Sequence, residues 1–344
     1  MSTPATGGRA EALRRRFQAP KLPRPRLPRR ERDALSPDEQ VAWSTLDKAG
    51  LAAAWFCGLL LCAIAASIVL YMLVRGLQYL SVSALFEHPV ILSTTQSTGT
   101  AGGYLDPIEG TLILTTLGTL IALPIGVGTA VWLSEYGRPH WLARAVESGV
   151  EIVAGTPTIV LAIFGLLVFT QGALGFLSFT AEGGAVFGRS FFIAGIMMSL
   201  IAIPLIVGAT REALQSIPAH VREASYALGK DKISTIRRVL LPASRKGIAT
   251  GTTLGMGRIA GDTAIVVILL GATPLEPQGD VPVLRVLQGT GSTLTSYVYN
   301  NSPAGEGNAP EKAYAAAFVL LVIVILMNFF VDLISRQGSD PWAR

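Results

Sequence analysis

Charge is scarce in this 344-residue chain: Asp, Glu, Lys and Arg make up 15% of it, while 50% is hydrophobic and the mean hydropathy is +0.49. Soluble domains carry about 25% charged residues, so the deficit points to a bilayer rather than a water-facing core. Cysteine is scarcer still. Cys57 and Cys62 lie five residues apart in one apolar run and fall on different helix faces, which supports neither a disulfide nor a metal site. The three histidines, His88, His140 and His220, are far apart in expected loops, so no metal site is read from them. The chain has no G-x-x-x-x-G-K-[ST], no H-E-x-x-H and no G-x-S-x-G. A phosphate-gripping ATP site, a zinc hydrolase and a serine hydrolase are therefore not expected, and no cofactor is implied. The glycines of "GMGRIAG" lie inside an apolar run with no strand before them, which disfavours a nucleotide loop. A secretory signal is also missing. The first apolar run starts near Leu51, after a long polar arm, and reads as a retained span.

The charges that are present are segregated. Eleven of the 28 Lys and Arg fall in residues 1–50, several between prolines in "LRRRFQAPKLPRPRLPRRERD". This basic, Pro-rich arm cannot bury enough apolar surface to order itself and is expected to be disordered. It is expected to lie beside anionic lipid headgroups rather than to fold on nucleic acid.

Six apolar runs are long enough to cross about 30 Å of hydrocarbon: 51–73, 110–133, 150–169, 191–210, 248–272 and 314–334. The fold class read from them is all-α integral membrane, with six spans in a domain of residues 51–340. Pro124 and Pro204 interrupt two runs, and the "AGTPT" opening the third makes its cytosolic end an expected irregularity. With both termini in the cytosol, the inner segments hold eleven Lys and Arg in the arm, two at Arg138 and Arg144, eight from Arg211 to Lys246 and two after the last run. The outer side holds Arg75, Arg189, Arg285 and Lys312. The positive-inside rule selects this orientation. Segment 273–310 then lies outside, where "VPVLRVL" and "LTSYVY" are expected to touch the membrane surface.

Two features carry chemistry. Arg258 and Asp262 sit four residues apart inside the fifth run and are expected to share a helix face. Ionised residues at membrane depth are costly and face a bundle interior or a water-filled path. Two readings stay open: a pair that neutralises itself within one helix, or a cation on a polar solute's route with Asp262 holding Arg258 in place. The planar arginine fork suits phosphate and similar oxyanions. In the same run Gly247, Gly251 and Gly255 recur every four residues, the spacing that lets helices approach closely in lipid.

The second feature is "REASYALGKDKISTIRRVLLP", from Arg222 to Pro242. Val221, Ala224 and Leu228 form an expected apolar stripe, Gly229 ends the helix, Asp231 can cap a second one, and Ile233, Ile236 and Leu240 repeat the stripe. Pro242 closes it. The loop reads as a helix–turn–helix on the inner membrane face, either an interfacial hairpin without a partner or a docking element for a cytosolic protein.

This stretch resembles the EAA loop of ABC-importer permeases, whose pattern is E-A-A, three residues, G, nine residues, I-x-L-P. Here stand Glu223-Ala224-Ser225, Gly229 and Val239-Leu240-Leu241-Pro242. The resemblance implies a MetI-like permease fold and a coupling loop at 211–246 that seats in a cleft of a separate ATPase, with Glu223, Ala224, Gly229, Leu241 and Pro242 as coupling residues. A narrower resemblance covers most of 102–334. "GGYLDPIEGTLILTTLGTLIALPIGVGTAVWLSEY", "EIVAGTPTIVLAIFGLLVF" and "GRIAGDTAIVVILLGAT" are similar to phosphate-importer permeases of the Pst system, PstA type. Arg258, Gly261, Thr263 and Ala264 match that family's R-x-x-G-E-T-A, while Asp262 stands where Glu is usual. The resemblance implies a non-enzymatic permease subunit of the bacterial inner membrane. Its partners would be a PstC-type permease, a PstB-type ATPase dimer, a PstS-type binding protein, membrane lipid and inorganic phosphate as solute. Alternatives are an ABC importer for sulfate, molybdate, phosphonate or an organic solute, and a non-transporting membrane scaffold or sensor worked by its basic arm.

Overall fold

The computed structural model describes residues 45–80, 85–86, 103–170, 189–271, 283–303, 305 and 309–336, with backbone only at 283–285 and 336. Most of the basic arm lies outside them, but residues 45–50 do not close the arm: they begin the first helix, α1 (Thr45–Tyr79). The regular elements among the described residues are all helical. α2 (Leu105–Val131) continues into a wide π-helical turn, Trp132–Tyr136, that ends at Gly137 with φ +42°. α3 (His140–Gly155) and α4 (Thr158–Phe169) follow, then α5 (Phe191–Gln215). The loop region holds α6 (Ala219–Ala227), α7 (Lys232–Thr235), a second π-helical turn (Ile236–Leu240) and α8 (Leu241–Ala243). After it come α9 (Arg245–Gly261), α10 (Ala264–Leu269), α11 (Val283–Gln288), α12 (Leu294–Asn301) and α13 (Pro310–Arg336).

Four helices are long and apolar enough to cross a membrane alone: α1, α2 with its π turn, α5 and α13. The third and fifth apolar runs are broken. α3 and α4 bend by 106° at Thr156–Pro157. Proline has no N–H to give and pushes the residue before it out of helical geometry, and Thr156 is extended (φ −76°, ψ 129°). The irregularity expected at the end of a straight span therefore divides it into two elements. The fifth run breaks at Asp262, also extended (φ −76°, ψ 131°), between α9 and α10.

By contact, the chain forms two compact units, residues 1–64 and 65–344. In the first, residues 45–64 are exposed throughout. In the second, α5 is the most buried span, packing on α2 and α9 through Phe191, Ile193, Met197, Met198, Ile206 and Leu214. Hydrophobic burial gives helices little reason to associate in lipid, so close van der Waals contact must do it. The glycine stripe of α9 supplies that contact. A Cβ added at Gly247 would overlap Ala213, one at Gly251 would stand 3.1 Å from the Ala209 Cβ, and one at Gly255 would stand 3.3 Å from the Ala202 Cβ.

In the segment expected to lie outside, "LTSYVY" is helical and its first residues are buried. It opens α12, where Leu294 and Ser296 are fully buried and Thr293 caps the helix reciprocally with Ser296. Leu294 N–H donates to Thr111 Oγ1 of α2 at 2.9 Å, and Tyr297 stacks edge-on against Tyr104 at 5.5 Å. Only the start of "VPVLRVL" lies outside the described residues; its remainder is α11, and Phe191 N–H donates to Gly289 O just after it. Residues 272–282, 304 and 306–308 lie outside as well.

Candidate functional site: a latched loop and an exposed arginine

The loop after α5 is built on a small apolar seat of Leu214, Ile217, Val221, Ile236 and Leu240. Its inner face is not the expected stripe. Val221 and Ser225, four apart, point inward, while Ala224 is exposed and Leu228 is 80% exposed. In the second half Ile236 and Leu240 are buried but Ile233 is 66% exposed. The reason is a polar join in the seat: Ser225 and Thr235 share a hydroxyl hydrogen bond at 2.8 Å, which satisfies both groups and brings the 225 side of α6 inward. Glu223, Ala224, Leu228 and Ile233 are left on the outside.

Gly229 adopts φ +73°. Lys230 N–H donates to Ser225 O and Gly229 N–H to Tyr226 O, the paired bonds of a Schellman ending. Nothing lies within 4 Å of where its Cβ would be, so the requirement for glycine is conformational rather than spatial. Asp231 occupies the N-cap position of α7, but its side chain makes no cap bond; its carbonyl accepts from Thr235 Oγ1 instead. Leu241 and Pro242 are half-buried and lead back into α9.

The loop is fastened to the end of α2. Arg222 Nε and Nη2 donate to Glu135 Oε1 at 3.1 and 3.0 Å, Nη1 donates to Ile217 O, and Nη2 donates to Leu214 O, both at 2.8 Å. The Glu135 side chain is only 7% exposed. Lys232, from the other half of the loop, donates to the Glu135 carbonyl and lies 4.4 Å from the Tyr136 ring centroid. Sequence reasoning missed Glu135. The available signal was a single acid at the end of an apolar run, with a strongly basic loop still to come.

Arg258 presents the opposite arrangement. It is exposed on α9, on the same side as Thr250 and Leu254, while Gly251, Gly255 and Ile259 face α5 and the bundle. Among the described residues it makes no ion pair. The expected Arg258–Asp262 pair is absent because α9 stops at Gly261. Asp262 is buried beyond the helix end, where its Oδ1 accepts from Ile265 N–H at 3.0 Å and caps α10. The structure thus separates two residues that a continuous helix would have stacked.

A bundle of apolar helices with a latched, outward-facing helix–turn–helix before its fifth apolar run is the arrangement of an ABC-importer permease. The chain belongs to the family of binding-protein-dependent transport system inner membrane components, which matches residues 122–337. It is 31% identical over 236 residues to the phosphate transport system permease protein PstA 1 of Mycobacterium tuberculosis (strain H37Rv), covering 68% of this chain and 70% of that one. It is 30% identical over 248 residues to the permease PstC of Xylella fastidiosa (strain 9a5c), covering 68% and 72%. The probable ABC transporter permease YqgH of Bacillus subtilis is 28% identical over 286 residues, covering 82% and 88%. Among solved structures, a bacterial alginate ABC transporter with its periplasmic protein gives a TM-score of 0.57 at 17% identity, covering 86% and 97%. The MetNI methionine transporter gives 0.50 at 21%, covering 69% and 94%. These structures establish the MetI-like fold. As a multi-pass permease subunit the chain is not an enzyme; ATP hydrolysis belongs to a separate subunit, and such permeases work with a second permease and a binding protein.

Proposed function

We propose that this chain is a permease subunit of an ATP-driven phosphate importer, with both termini cytosolic. It would line the path with a PstC-type permease, be driven by two PstB-type ATPases and receive inorganic phosphate from a PstS-type binding protein. The observation that carries the reading is Arg258: a cation in an apolar run, exposed on its own chain and without an ion pair among the described residues. Such a residue cannot face lipid without a large cost. Facing a second permease across a wet path, its fork is available to an oxyanion. Asp262 positions it by fixing the break between α9 and α10 beside it. The phosphate-permease names of the PstA and PstC relatives support the choice of solute.

Glu223, Ala224, Gly229, Leu241 and Pro242 would form the coupling element. The exposed apolar side chains of Leu228 and Ile233 next to them suit a protein cleft better than water. The test is ATP-dependent uptake into proteoliposomes holding the whole transporter, with phosphate and sulfate supplied by their own binding proteins. Phosphate accumulation without sulfate accumulation is expected; sulfate carried equally well would overturn the choice of solute.

A further inference from the structure

A cavity of about 660 Å³ opens beside the latch, where the π turn after α2 meets the start of α3 and the side of α5. Its lining includes Ser134, Arg138, His140, Arg144, Glu147 and Arg211. Glu147, the one acid, is already held by Arg211 at 2.6 Å. Arg138 forms no ion pair among the described residues, and Arg144 donates only to the His140 carbonyl of its own helix, at 3.5 Å. The site therefore keeps about two uncompensated positive charges.

Two further observations point to a missing acceptor. Among the described residues, Ser134 Oγ and Arg211 Nε are buried without a hydrogen-bond partner, and buried donors are ordinarily satisfied. The 16-residue α3 also opens at this cavity with Pro139 in its N-cap position, so no side chain caps its first N–H groups. Trp141 beside it is 66% exposed, as an anchor at a membrane–water boundary would be.

We propose that this cavity binds a phosphate-group anion and that its occupant bears on the coupling loop. The shared chemistry is a phosphate presented by a lipid headgroup or by free inorganic phosphate. The connection to the loop is short. Leu133, Ser134, Tyr136 and Gly137 line the cavity, while Glu135 and Tyr136 of the same turn hold Arg222 and Lys232. An anion that draws Ser134 and the α3 amides together tightens the turn to which the loop is tied. This site is separate from Arg258 and does not depend on which solute crosses the membrane.

The test uses the whole transporter in nanodiscs of phosphatidylcholine, with or without phosphatidylglycerol, and with or without added inorganic phosphate at matched ionic strength. The rate at which phenylglyoxal modifies Arg138 and Arg144 is read by peptide mapping, and ATP turnover is followed in parallel. Several-fold slower modification with phosphatidylglycerol alone assigns a headgroup; the same protection from inorganic phosphate in phosphatidylcholine assigns the free ion. In either case the Arg138→Gln/Arg144→Gln variant keeps its basal ATP turnover and loses the response of turnover to that anion. Equal modification rates under all conditions overturn the proposal, whether the arginines are always open or always covered by a partner chain's carboxylate. A double variant that responds as the parent does also overturns it. Neither readout measures uptake, so failure here is distinct from failure of the phosphate-import reading.

Discussion

Two arginines of this chain, Arg222 and Arg258, have opposite surroundings. Arg222 sits in the polar loop between α5 and α9, where water could have solvated it, yet its guanidinium is committed to one carboxylate oxygen and two carbonyls. Arg258 sits in an apolar run, where a partner would relieve the most energy, yet none stands beside it among the described residues. A charge satisfied inside its own chain holds structure together. A charge left open at membrane depth is one whose partner is another molecule. Under the function proposed above, the loop would transmit force and α9 would meet the solute.

The comparison can be broken at several points. The largest effect is expected at Arg258. Arg258→Ala removes the one charge of α9 at that depth and should cut phosphate uptake by at least about tenfold, the scale of a lost charged hydrogen bond, while the complex still assembles. Normal uptake by an assembled complex would remove Arg258 from the path. Next is the latch. Glu135→Gln strands a largely buried arginine, at a cost of about 3 kcal/mol, and should lower the thermal midpoint and loosen ATPase binding. Adding Arg222→Gln should recover part of that loss, because the two residues form one interaction; simple additivity would deny the latch. Smaller again is Gly229→Val. No atom obstructs a side chain there, so the penalty is the left-handed backbone alone, about 1–2 kcal/mol. It should appear as weaker co-purification of the ATPase, and unchanged co-purification would argue against docking through this turn. The smallest effect is expected from Asp262→Asn. Asparagine caps a helix about as well as aspartate, so stability and uptake should both stay near those of the parent. A large loss of uptake would restore a charge role to Asp262.

Several of these features were legible in the sequence and others were not, for reasons that differ by residue. Gly229 was readable because the loop's spacing demands a left-handed residue at one point and only glycine takes that conformation cheaply. The α9 glycine stripe was readable because its period is that of the helix. The inward face of α6 was not, because apolar spacing points to Ala224 and Leu228 while the seat is closed by the Ser225–Thr235 hydroxyl pair. The Arg258–Asp262 pair misled for a related reason. Helical spacing places the two together only if the helix continues, and Asp262 is a residue that ends it by capping the next. Glu135 and Arg222 are 87 positions apart, beyond the reach of any local pattern. The six apolar runs located the bundle, but hydropathy alone did not register the 106° bend at Pro157.

The measurement that bears most directly on the division of labour between the two arginines is the phosphate carried per ATP hydrolysed, in proteoliposomes containing the whole transporter. In Arg258→Ala the latch is intact, so ATP hydrolysis should persist while the ratio collapses. In Glu135→Gln hydrolysis and uptake should fall together and leave the ratio near that of the parent. An unchanged ratio in Arg258→Ala, or a collapsed ratio in Glu135→Gln, would contradict the account.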